Sequence, residues 1–102
     1  MDKVDRFRNI ANSLADLYEK KNHDYGDSFG KTFQSLGIIS AITRISDKYN
    51  RIVSLATTKE QKVKDEAIED TLKDMASYCI MTLIELGYGG ENEDTVDILP
   101  CL

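Results

Sequence analysis

The sequence has little that interrupts a helix. Proline occurs once, at Pro100, and before residue 87 glycine occurs only at Gly26, Gly30 and Gly37. So few breaks argue against short strands joined by tight turns and favour helices. No apolar run approaches the roughly 20 residues that a membrane span needs, so no membrane partner is expected. The opening stretch MDKVDRFRN carries acids and has no apolar centre, which is not the pattern of a signal peptide. A surplus of positive charge is also missing. Thirteen Lys and Arg stand against 18 Asp and Glu, a net charge of −5, which argues against a protein that coats duplex nucleic acid. A local basic pocket for one small anion remains compatible with that balance. The two cysteines, Cys79 and Cys101, lack metal-type spacing. Cys79 reads as a buried reduced thiol on an apolar helix face. These features together point to a cytoplasmic protein.

What is present is enough for one small domain. Of 102 residues, 41% are hydrophobic, which supports a modest core and excludes a disordered chain. A domain of this size buries a limited share of its surface, so a homo-oligomer is a natural way to complete it. Residues 1–87 read as the helical body and 88–102 as an acidic tail with an apolar end. That end, Ile98-Leu99-Pro100-Cys101-Leu102, is expected to pack on the body or on a neighbouring subunit.

Periodicity gives the helices. Val4, Phe7, Ala11, Leu14 and Tyr18 recur at three- and four-residue steps, predicting a helix from about Asp2 to Lys21. It should end in the turn formers Asn22-His23-Asp24-Tyr25-Gly26-Asp27. Ile38, Ile42, Ile45, Tyr49, Ile52 and Ala56 form one stripe, predicting a second helix from about Ser35 to Leu55. Residues 28–34 fit a short helix or a structured loop equally well. Thr58 and Gln61 have capping-box spacing at the start of a third helix. Its core face reads as Ile68, Leu72, Met75, Cys79, Leu83 and Leu86, with Gly87 as the residue that stops it. The short connection predicts antiparallel packing of the second and third helices. The fold class is therefore all-α, a small bundle of three to four helices.

Two charged ladders lie on those helices. Glu66, Asp70 and Asp74 follow at i, i+4 and i+8, so successive members differ by about 40° around the axis and share a face. Glu69 lies beside them. Like charges at that spacing repel and call for a counter-charge. One candidate is Mg²⁺, a hard cation that takes carboxylate oxygens and bridges to phosphates. Another is a cation from the facing helix. The plain alternative is a solvated face screened by Lys62, Lys64 and Lys73. Arg44, Lys48 and Arg51 form the basic ladder, bordered by Asp47 and flanking the Ile/Tyr stripe. Arg grips phosphate bidentately and Lys offers a compact charge. The two ladders either pair with each other or hold a nucleotide between them, and spacing alone favours simple pairing. The turn at Lys21-Asn22-His23-Asp24-Tyr25-Gly26 adds further functional groups. His23, the single histidine, reads as solvated.

Three blocks carry a resemblance. Lys21, Asn22, Asp24, Tyr25 and Gly26, then Asp47, Lys48 and Arg51, then Glu66, Asp70, Asp74 and Tyr78 resemble the nucleotide-modification-associated domain family. Proteins of that kind are common in phage genomes and look like distant relatives of MazG and the all-α nucleoside triphosphate pyrophosphatases. The resemblance covers roughly residues 15 to 86. It implies an oligomeric helical fold that handles nucleotides. MazG-like enzymes hold Mg²⁺ between two acidic motifs, and the second resembles Glu69, Asp70 and Asp74. The first is missing, since only Asp47 stands on the second helix, among cations. Metal-activated hydrolysis needs several carboxylates, so this departure suits holding phosphate more than cleaving it.

Three functions follow as expectations. The first is a nucleotide-binding protein, in a phage setting a handler of modified nucleotides or a sequestering anti-defence protein for a nucleotide second messenger. Lys48, Arg51 and Arg44 would take the phosphate, Lys21, Asn22 and Asp24 would assist, and Tyr25 or Tyr49 would stack on the base. The second is a Mg²⁺-dependent pyrophosphohydrolase with Glu66, Asp70 and Asp74 on metal and Asp24, Glu69 or Asp74 as catalytic candidates. The third is a non-catalytic helical assembly module.

Overall fold

The computed structural model describes residues 1–57 and 61–90, without the side chains of 61–64. Among the described residues, four helices account for the fold: α1 Lys3–Tyr25, α2 Ser28–Leu36, α3 Ile38–Ala56 and α4 Gln61–Glu85. No strand occurs among the described residues. The all-α bundle expected from the sequence is what forms. Thr58 and the tail from residue 91 lie outside the described residues, and so do the capping box and the docked apolar end assigned to them.

α1 begins at Asp2, whose carboxylate accepts the Asp5 N–H at 2.8 Å and satisfies one of the free donors of the first turn. The helix continues past Lys21, through residues expected to form a turn, and stops at Gly26. The reason is local: Gly26 adopts φ 59° and closes the helix by donating to the Asn22 carbonyl. Asp27 follows at φ 58°, and this pair of left-handed residues swings the chain into α2. Residues 28–34, left open by the sequence, belong to α2.

The second predicted helix, Ser35 to Leu55, is α3, which starts three residues later, at Ile38. Gly37 has φ 76° and ψ −166°, a region essentially closed to residues with a Cβ, and it separates α2 from α3. α3 and α4 form the principal pair of the bundle. They run antiparallel, as expected: Lys48 meets Asp74, and one turn further along α3, Arg51 meets Thr71, one turn back along α4.

The inward faces differ from those expected. On α3, Ala41 is fully buried and Arg44, Ile45, Lys48, Ile52 and Leu55 are half-buried, whereas Ile42 and Tyr49 are exposed. The inward stripe is thus rotated by about one residue from the predicted Ile38–Ala56 line. On α4, Thr71 is 3% exposed and Tyr78 half-buried, while Leu72, Cys79 and Leu83 are exposed. Cys79 is therefore an exposed thiol, not a buried one. Apolar side chains lie around much of α4, so hydrophobicity does not select one face. Thr71 is tolerated inside because its hydroxyl donates to the Ala67 carbonyl at 2.6 Å. On α1 only Leu14 of the predicted stripe is buried, and Val4 and Phe7 stand in solvent. Among the described residues, the buried hydrophobic ones are Leu14, Phe29, Ala41 and Leu86.

At the corner of α1, α2 and α4, burial and the nearby Asp27 carboxylate push the Glu85 carboxyl above its usual range. Burial, Asp27 and Glu85 likewise raise the Tyr18 phenol. A raised acid favours folding where it is protonated, and the benefit is lost as pH rises through the raised value. Glu85→Gln should therefore raise the thermal midpoint at neutral pH, with the gain shrinking as pH falls through the raised value and gone below about 4, where the glutamate is neutral in the folded and the unfolded chain alike. Thermal scans across pH check this, and an equal effect at all pH values would contradict it. Gly37→Ala should cost about 1–3 kcal/mol in urea unfolding, and an unchanged midpoint would mean that the kink is not required.

Candidate functional site

The last two turns of α1 place Leu17, Tyr18, Lys21, Asn22 and Tyr25 on one face, because residues three and four apart are helix neighbours. That face, with α2, α3 and α4, encloses a cavity of about 410 Å³. Its wall is aromatic. Phe29 from α2 and Tyr78 from α4 stack with ring centroids 5.9 Å apart and planes 20° from parallel. The Arg44 guanidinium carbon lies 5.8 Å from the Tyr78 centroid and 6.0 Å from that of Phe29. The ring quadrupoles hold this cation in place without an acid. A cation–π contact uses no hydrogen-bond acceptor, so it leaves the guanidinium's N–H donors available to a ligand. Lys21, Asn22 and the exposed Tyr25 add a cation, an amide and a ring to the lining. Asp74 and Ser77 contribute from α4.

A second cavity, about 430 Å³, lies between α3 and α4 and is lined by Lys48, Arg51, Glu66, Asp70, Thr71 and Asp74. The two ladders thus face each other, as their spacing suggested. They cancel only in part. Lys48 Nζ reaches Asp74 Oδ2 at 3.0 Å, with the two side chains 27% and 39% exposed. Arg51 turns instead to a hydroxyl, donating from Nε to Thr71 Oγ1 at 3.3 Å. That contact uses one of five guanidinium donors. Asp74 lines both cavities, so the Lys48–Asp74 pair stands where they adjoin.

The predicted residues separate into two groups. Lys21, Asn22, Tyr25, Arg44 and Asp74 come together in the first cavity, and Lys48, Arg51, Glu66, Asp70 and Asp74 in the second. Asp24 is exposed, 3.6 Å from His23 Nδ1, and lines neither cavity. Glu69 is also exposed, 3.9 Å from Lys73 on the next turn. Tyr49, expected as a stacking ring, is on the exposed side of α3. Among the described residues, no group of three His, Cys, Asp or Glu side chains is gathered as a metal cradle. The carboxylates of Glu66, Asp70 and Asp74 are spread along the groove, each about 6 Å further along the helix axis than the last. Sequence reasoning missed Phe29, Thr71 and Ser77. Phe29 lies in the stretch whose structure was undecided. Ser77 offered one signal, since it lies three residues beyond Asp74 and one before Tyr78.

Residues 21–86 match the family model described as nucleotide modification associated domain 1. No curated protein and no solved structure matches the chain. The matched stretch begins at Lys21, ends at Leu86, and contains the whole lining of the second cavity and all of the first except Leu17 and Tyr18. It spans more than half of the sequence, and this chain belongs to the nucleotide modification associated domain 1 family.

Proposed function

We propose that the protein binds a nucleotide, with the base in the aromatic cavity and the phosphate on the cations of α3. The observation that carries this reading is Arg44, held across Phe29 and Tyr78 in a cavity that Lys21, Asn22 and Tyr25 also line. Rings beside a fixed guanidinium suit a flat base joined to an anion. Lys48 and Arg51, one groove further on, extend the cationic row. The family's description, which associates it with nucleotide modification, agrees with this chemistry. The ligand classes that fit are a modified nucleotide and a nucleotide second messenger, the latter held without turnover by a sequestering protein of phage type.

A second reading keeps its own support. Glu66, Asp70 and Asp74 line the same groove as Lys48 and Arg51, an arrangement that a Mg²⁺-dependent, MazG-like pyrophosphohydrolase could use. Pyrophosphate release from a nucleoside triphosphate, dependent on Mg²⁺, would select this reading. Thermal stabilisation by nucleotide without turnover would select the binder.

The small size of the domain and an exposed apolar stripe support a homo-oligomer. Val4, Phe7 and Ile10 form an exposed apolar stripe on α1, which a second copy would cover. Phe7→Asp should then lower the particle mass measured by light scattering, and an unchanged mass would remove Phe7 from the interface.

Arg44→Ala should weaken nucleotide binding by roughly tenfold or more in calorimetry, with the circular dichroism spectrum unchanged. Tyr49→Ala, on the outer side of α3, should leave affinity as it was. Wild-type affinity in Arg44→Ala would move the site elsewhere.

A further inference from the structure

The Lys48–Asp74 pair occupies ground that an anionic ligand would need. Asp74 is the acid that reaches Lys48, at 3.0 Å, and its carboxylate lines both the aromatic cavity and the charged groove. Arg44 and Arg51 lie one turn away on either side of Lys48, on the same helix, and neither has an acid within ion-pair distance among the described residues. Of the three cations, the central one alone is occupied by a carboxylate.

We propose that Asp74 is a built-in competitor for the phosphate seat, so that ligand binding exchanges the Asp74 carboxylate on Lys48 for a phosphate oxygen. This rests on the nucleotide-binding reading and specifies how that site is gated. The physical ground is charge and exposure. Both partners of the pair are partly solvated, and such pairs contribute little to stability. A phosphate offers up to two charges and three acceptor oxygens, so it can engage Lys48 together with a neighbouring arginine, which one carboxylate oxygen does not do. The exchange therefore favours phosphate over a monocarboxylate. In the free protein the carboxylate keeps Lys48 from standing half-buried without a partner. The released carboxylate stays beside the entering anion and repels it, so the site's apparent affinity carries the cost of opening the pair.

Asp74→Asn tests this, since the amide keeps the shape and removes the charge. Titrations at low salt would use the ribo- and deoxyribonucleoside 5′-monophosphates, the matching nucleosides and inorganic pyrophosphate. The expected result is a roughly fivefold gain in affinity for the phosphate-bearing probes, with nucleosides unchanged. Asp47→Asn removes one charge from the exposed side of α3 and should give no comparable gain, which separates the competitor from a general charge effect. The double variant Lys48→Gln/Asp74→Asn should lose the gain. Equal or weaker phosphate binding in Asp74→Asn, or the same gain in Asp47→Asn, overturns the proposal. If no nucleotide binds the wild type but pyrophosphate binds Asp74→Asn more tightly than wild type, the competitor stands and the nucleotide reading falls. If pyrophosphate binds neither form, both fall.

Discussion

The antiparallel seating of α3 on α4 is the constraint from which the site follows. Ala41 on α3 and Thr71 on α4 are both buried, and long side chains lie beside them along the seam. Three of those side chains are cations. Arg44 and Lys48 are half-buried and Arg51 is exposed, and the register gives each a different kind of partner. Arg44 meets two rings, Lys48 a carboxylate and Arg51 a hydroxyl. Full pairing with acids would have neutralised all three cations. Because only the middle contact is an ion pair, the row stays fixed in place and retains hydrogen-bonding capacity at both ends.

The sequence made the presence of helices legible and hid which way they face. Three- and four-residue spacing marked α1, α3 and α4, and the short connection marked α3 and α4 as antiparallel. The inward stripes were harder to read because burial depends on what a neighbour allows, not on hydrophobicity alone. Ile42 and Tyr49 look like core residues by type, yet both are exposed and the small Ala41 is the buried residue of α3. On α4, Leu72, Ile80 and Leu83 compete with Met75 and Tyr78, and a threonine wins a buried position through a hydroxyl bond that no hydropathy pattern encodes. The predicted Ser35–Leu55 helix runs through Gly37, where the chain in fact breaks between α2 and α3. The unusual ψ of Gly37 depends on where α2 must turn, which is a tertiary fact.

The candidate site was legible as a set of residue types and illegible as a set of contacts. The overrun of α1 shows why. Read as a turn, Lys21 to Tyr25 have no common direction. As helix, Lys21, Asn22 and Tyr25 join Leu17 and Tyr18 on one face, whereas Asp24 lies about 90° from its middle and is carried to the outside. Two motif neighbours therefore part company for a geometric reason. The same reasoning separates Asp74 from Glu69, which lies nearly opposite the Thr71–Asp74 face on α4. Phe29 completes the aromatic wall only because Gly26 and Asp27 turn α2 back across the bundle.

The groove between α3 and α4 contains both signs of charge, and this bears on what it can select. A purely basic groove would attract any polyanion in proportion to its charge. Here Glu66, Asp70 and Asp74 line the same space as Lys48 and Arg51, so net attraction is small and placement decides. An extended polyanion would lie against the acids as well as the cations and gain little. A compact anion attached to a flat apolar group can put its charge on the α3 row and its ring beside Phe29 and Tyr78, at Arg44. The pairing of opposite charges across the groove thus favours a small ligand with one charged end over a long one charged throughout. This agrees with the net charge of −5 for the whole chain, which disfavours duplex nucleic acid while leaving a local seat for one phosphate group.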